Sequence, residues 1–229
     1  MILPGIDGLG FLSDLFVEAG EGKSVEFLQL SYPVDRPMSI DELVDYVEER
    51  LPRDRPIIPL AISFSGPIAV RLLVRNRRHY RAAIFCTSFV RAPHPFLLRI
   101  GRLLPMKELL RWSRQDAILK GTFLNPRSPQ SLVDLLQRAG GAVPPEILAY
   151  RLEQIAEVDD SSLLDSITIP CCGLRARRDL LIPPGAIRPF YHHLKHFEAH
   201  DIAAPHAVLL TNPERCRDIV DNFLSGIEN

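Results

Sequence analysis

No run of apolar residues in this chain approaches the roughly 20 that a membrane-crossing helix needs, and its start lacks a basic stretch followed by an apolar segment and a cleavage site. Neither a membrane span nor a secretory leader is expected, and the sequence reads as cytoplasmic. Charge of one sign is missing too: 27 Lys and Arg stand against 28 Asp and Glu, for a net charge of -1. Without a long-range field to gather polyanions, nucleic acid and acidic membrane surfaces drop out as partners. Cysteine is scarce. Cys86, Cys171, Cys172 and Cys216 are too few and too irregularly spaced for a disulfide framework, and no CxxC pair suggests zinc. They read as reduced, buried thiols, with no metal expected. Internal repeats and low-complexity tracts are absent as well.

What is present is an alternation of strand and helix along 229 residues, enough for one compact unit with a sizeable core and a small subdomain. The stretch 2-ILPGIDGLG-10 is a very short apolar strand entering a glycine-rich turn, and 25-VEFLQLSYP-33 is a β-compatible run stopped by proline. Ser39 followed by Glu42 opens 39-SIDELVDYVEERL-51 with a capping box, so a helix starts there. The bounded apolar run 57-IIPLAI-62, weakened by Pro59, and 82-AAIFCTSFV-90 suit strands buried on both faces. Between them a buried helix runs from Phe64 to the basic cluster 75-RNRRHYR-81.

This is the pattern of a parallel α/β sheet. From about Ala92 to Asp165 it breaks into helical pieces only (96–104, 107–123, 130–140 and 145–158), too long for one crossover. Residues 92–165 are therefore expected to form an inserted helical cap, with 1–91 and 166–229 making the core. Alternation resumes with a strand at 167–176, a helix near 184–194, a short strand at 195–201 and a last helix at 212–224.

The segment 59-PLAISFSGPIAVRLL-73 sets a serine in a strand-to-helix turn. A nucleophile held there needs small residues two before and two after it, so that strand and helix can approach. Ala61 and Ser65 meet that requirement around Ser63. Around Ser65 the same positions are Ser63 and Pro67, and Ser65 itself would already lie inside the helix. The A-x-S-x-S pattern departs from G-x-S-x-G at both small positions, and a serine that merely caps the helix fits the same residues.

A serine nucleophile needs a base, and the base an orienting acid. Of seven histidines, His206 lies in 202-IAAPHAVLLTNP-213, a loop between the last strand and the last helix, and such a loop delivers an imidazole to the carboxyl edge of a parallel sheet. His200, ending a short strand, is the second candidate. His192, His193 and His196 lie among charged neighbours on or beside a helix, and nothing in position recommends His79 or His94. Asp179 follows a strand in 171-CCGLRARRDLLIP-183 and gives the chain order Ser, Asp, His; Asp159 and Asp160 are weaker candidates. Backbone amides of Phe64 and of Ile6, with Asp7 as the alternate to Ile6, are expected to stabilise a developing oxyanion. A plain turn or a phosphate cradle are the other readings of 4-PGIDGLG-10. The cradle lacks both a GxxxxGK[ST] pattern and a lysine before Lys23.

Taken together, LPGIDG, AISFSG, RARRDLLIP and APHAVLLTNPE resemble the oxyanion turn, nucleophile elbow, acid loop and histidine loop of the α/β-hydrolase superfamily, over nearly the whole chain. The likeness is greatest to small bacterial carboxylesterase- and lipase-like serine hydrolases opening on LPG-x-DG-x-G, and more distant to plastid acyltransferase-like proteins sharing that opening. It implies the α/β-hydrolase fold, a mostly parallel sheet flanked by helices with an inserted helical cap and the leading strands shortened or missing. It also implies attack by Ser63, proton transfer by His206, orientation by Asp179, an acyl-enzyme resolved by water, and no cofactor. Pro4 stands where many relatives have a histidine. The expected activity is cleavage of small carboxylic esters with short to medium acyl chains, Phe96, Leu97, Leu98, Leu103, Leu104 and Leu110 lining an apolar pocket. Thioester hydrolysis or acyl transfer by the same triad, and a catalytically silent binding protein, are the alternatives. An open sheet edge left by the missing strands favours a homodimer.

Overall fold

In the computed structural model, which describes residues 1–20, 25–95 and 115–227, five strands form one parallel sheet in the order β1 (Ile2–Leu3), β2 (Leu60–Ile62), β3 (Ala83–Cys86), β4 (Cys171–Ala176) and β5 (Phe197–Ile202). The register runs Leu3 opposite Ala61, Ala61 opposite Phe85, Phe85 opposite Gly173 and Gly173 opposite Ala199. Because the strands are parallel, all five carboxyl ends open onto one edge, where open α/β sheets bind ligands.

Proline sets several strand limits. Pro59 has no N–H to give the ladder, so β2 starts at Leu60 and Ile57 makes only an isolated bridge to Tyr80. Pro170 likewise precedes β4, which is shorter than the 167–176 expected. The run 25–33 is reduced to a single bridge between Gln29 and Ile2, because β1 offers only two residues to pair with. That bridge lies on the outer side of β1, so the short opening strand is not bare along that edge: Leu28 O accepts from Ile2 N–H at 2.8 Å and Leu30 N–H donates to Ile2 O at 3.1 Å.

Helices cover both faces. On one side α2 (Ile40–Arg50), α3 (Ser65–Arg75) and α7 (Arg188–His193) bury Leu43, Val44, Val47, Ile68, Leu72 and Phe190 against the sheet. On the other, α1 (Asp14–Glu18), α8 (Val208–Thr211) and α9 (Pro213–Ile227) contribute Phe16, Leu209, Ile219 and Val220. Ser39 and Glu42 form the expected capping box at the start of α2.

Between β3 and β4 the described residues hold α4 (Asp116–Thr122), α5 (Gln130–Ala142), α6 (Pro145–Glu157), a 3-10 turn at Ser161–Ser166 and, apart from an isolated bridge between Arg91 and Asp159, no β-structure. The helix expected at 96–104, the beginning of that at 107–123, and the leucines proposed to line an acyl pocket lie outside the described residues. The face of α6 carrying Ile147 and Leu148 packs on Ile6 and Leu9 of the opening turn. Phe123, at the end of α4, packs edge-on to His206 with ring centres 5.8 Å apart. The helical segment therefore touches two of the loops at the carboxyl edge. No described helix is long and apolar enough to cross a membrane.

Candidate active site

Ser63 follows β2 directly with φ +49°, a left-handed conformation that β-carbon sterics disfavour. Three contacts hold it there: its N–H donates to Cys86 O at 3.0 Å, while its carbonyl accepts from Gly66 N–H at 3.2 Å and from Ser88 Oγ at 2.6 Å. The helix α3 begins two residues later. Ala61 is wholly buried between neighbouring strands, in keeping with the small residue expected there.

The sequence pattern did not single out Gly66. A β-carbon on it would lie 2.1 Å from Phe89 O and 2.3 Å from Ser88 Oγ, so the close approach of α3 to the chain leaving β3 depends on a glycine three residues after Ser63. A glycine following two serines was visible in the sequence, but the neighbour it must clear is 23 residues away along the chain.

His206 comes from the loop after β5 and is buried, 8 % exposed. Its Nε2 lies 3.1 Å from Ser63 Oγ and its Nδ1 2.7 Å from Asp179 Oδ2. Asp179 follows β4. Its other oxygen, Oδ1, accepts the backbone N–H groups of Leu181 and Ile182, each at 2.9 Å. A carboxylate can only accept, so Nδ1 carries the proton toward Asp179 and Nε2 is left with a lone pair facing the serine hydroxyl. The acid and histidine loops are joined by Arg177 N–H to Ile202 O at 2.9 Å and Arg178 N–H to Ala204 O at 3.0 Å.

The other candidates lie elsewhere. His200 is on β5, 3.1 Å from Glu198, and His193 pairs with Asp165 at 2.9 Å. Asp160 is held by Arg71 through contacts of 2.9 and 3.0 Å, and Asp159 accepts from Ser161 N–H.

The two amides expected to face an oxyanion sit on the flanking turns. Phe64 is the N-cap of α3, where the first N–H groups lack helical partners. Ile6 follows Gly5, whose carbonyl accepts Gly8 N–H at 3.0 Å; a trans amide then directs the Ile6 N–H away from that bond. Among the described residues neither amide has a hydrogen-bond partner. The carboxylate of Asp7, the alternate, accepts from Leu9 N–H at 2.7 Å. Burial raises the Asp7 carboxyl to about 6, against the opposing pull of nearby backbone N–H groups, that of Leu9 first, and of Arg151.

Ser65 does more than occupy little space. Its fully buried hydroxyl donates to Pro4 O and meets the Tyr32 hydroxyl, tying the start of α3 to the opening turn. Burial pushes the Tyr32 hydroxyl well above its ordinary pKa, so it remains a neutral donor.

One trio of metal-ligand types occurs among the described residues. Donor atoms of Cys172, Glu198 and His200 lie within 4.8 Å of one another on β4 and β5. The Cys172 thiol is buried and pushed up to about 12, and His200 Nε2 is already engaged by Glu198, so the trio is not a ready ligand set.

No protein-family model matches the chain, and no curated protein sequence does. Solved structures do match. A hydrolase from Pseudomonas aeruginosa PA01 superposes with a TM-score of 0.80 at 16% identity, over 97% of this chain and 88% of that one. An esterase from Exiguobacterium antarcticum gives 0.78 at 11%, over 100% and 91%. An alpha/beta hydrolase enzyme from a Medee basin deep-sea metagenome library gives 0.73 at 18%, over 98% and 88%. At such identities the likeness is one of fold: this chain has the α/β-hydrolase fold.

Proposed function

Starting from that fold, we propose that the chain is a serine hydrolase of carboxylic esters, acting through an acyl-enzyme on Ser63. The observation that supports it most is the single line from Ser63 Oγ to His206 at 3.1 Å and on to Asp179 at 2.7 Å, with the serine on a left-handed strand-to-helix turn. A serine that only capped a helix would have no need of a buried imidazole and an oriented carboxylate.

In this reading His206 Nε2 takes the Ser63 proton as Oγ attacks the ester carbonyl carbon, and the carbonyl electrons move onto its oxygen. The amides of Ile6 and Phe64 stabilise that oxyanion. Collapse expels the alkoxide, which leaves as the alcohol with the proton from His206. Water, deprotonated by His206, then attacks the acyl carbon, and the second collapse releases the carboxylic acid and restores Ser63. Asp179 keeps the ring in the required tautomer and offsets the imidazolium charge. Residues 92–165 act as the cap over this edge, a role supported by the contacts of α6 with the opening turn and of Phe123 with His206.

The test is turnover of p-nitrophenyl esters of graded acyl length, with acyl-thioesters in parallel. Ser63→Ala and His206→Ala are each expected to lower kcat by about three orders of magnitude or more, and His200→Ala by less than about twofold. Turnover unchanged in Ser63→Ala would dismiss the proposal, and preferred turnover of thioesters would shift it to that substrate class.

A further inference from the structure

The turn that carries Ile6 has three consecutive carbonyls held, in order, by α3, by the turn itself and by α6. Pro4 O accepts from Ser65 Oγ, Gly5 O accepts from Gly8 N–H, and Ile6 O accepts from Arg151 Nη1 at 2.8 Å. Arg151 lies on α6, in the helical segment, 145 residues further along the chain. Its second arm, Nη2, donates to Pro33 O at 2.9 Å.

Arg151 is 2 % exposed, and among the described residues no carboxylate lies within ion-pair distance of it. Asp7 acts on it only at longer range. Burying an unpaired charge is costly, and an apolar side chain would suit the face that Arg151 shares with Ile147, Leu148 and Ile155. Packing therefore does not account for it. The turn is also shaped to receive it: Gly8 has φ +73°, and a β-carbon there would lie 2.6 Å from Nη1. Tyr32 N–H holds Gly8 O at 2.8 Å, and the Tyr32 ring lies 5.8 Å from the guanidinium carbon.

We infer that Arg151 is a positioning residue for the oxyanion turn: it clamps the Ile6–Asp7 peptide, which is joined through the Ile6 α-carbon to the Gly5–Ile6 peptide held by Gly8, so that the two planes together keep the turn in the conformation that presents the Ile6 N–H, and it sets a fixed positive charge behind the turn. This rests on the proposed reading of the site. Both effects favour the state in which negative charge grows on the carbonyl oxygen over the ground state, so they act on kcat more than on KM. The cationic arm also makes cleavage depend on docking of the helical segment, because one residue of α6 completes the turn.

Arg151→Met keeps length and apolar packing but removes charge and donors; Arg151→Lys keeps the charge with a single point donor. Both are compared with wild type by kcat and KM on p-nitrophenyl acetate, by thermal melting, and by inhibition with a trifluoromethyl ketone, whose adduct with a serine carries an oxyanion. Arg151→Met is expected to lose about tenfold or more in kcat with KM within about twofold, and to bind the ketone weaker by a similar factor. Arg151→Lys is expected to fall between it and wild type. If Arg151→Met does not fold, Arg151→Lys carries the comparison, with the same direction in kcat and ketone affinity expected. Folded variants with wild-type kcat and ketone affinity, or with a lowered melting temperature alone, would overturn the inference. Wild-type turnover unaffected by Ser63→Ala would instead remove the reading of the site on which it rests.

Discussion

Asp7 is a carboxyl whose chemistry departs from what its letter suggests. It stands beside Ile6 in the opening turn, and desolvation lifts its carboxyl from 3.8 to about 6. A folded-state value above the unfolded one means that the native protein holds this proton more tightly. Its stabilising share is therefore full below about pH 4 and is lost as pH rises through 6. Asp7→Asn keeps an acceptor for Leu9 N–H and has no charge to desolvate. Its melting temperature relative to wild type is expected to climb between pH 4 and pH 7 and to level off above. A constant difference across that range would show that Asp7 titrates normally. Ser65 teaches the same lesson. Its smallness was legible from spacing, whereas its hydrogen bonds to Pro4 O and Tyr32 were not, because those partners come from other segments of the chain.

Among the elements, helices with a local signal were read well and strand lengths were not. The capping box of α2 depends on four consecutive residues, so Ser39 and Glu42 announce it. The strand limits depend on which neighbour is available: the run 25–33 has the composition of a strand but meets only a two-residue partner in β1. The junction of β2 with α3 shows how one glycine couples elements. Gly66→Ala must displace Phe89 O, a backbone atom, and is expected to cost about 2 kcal/mol or more of unfolding free energy, measured by urea titration. A loss under about 0.5 kcal/mol would mean that α3 can move off the chain leaving β3 without penalty.

At the scale of the molecule, the parallel order of five strands does most of the work of assembly. It brings residues 6, 63, 179 and 206, scattered through the chain, to loops on one edge. That much was legible, since chain order and loop position require only the alternation of elements. The contact from α6 was not: no motif or spacing marks Arg151, and its burial and its bond to Ile6 O follow from the packing of that helix beside Ile6 and Leu9.

The central claim is that Ser63 is a nucleophile activated by His206 and Asp179, and covalent trapping tests it most directly. Wild-type protein treated with a fluorophosphonate should gain the mass of one phosphonyl group, mapped by peptide mass spectrometry to Ser63, with the rate reduced by about three orders of magnitude in His206→Ala. An unmodified Ser63, or a label on another residue while Ser63 stays free, would contradict the account.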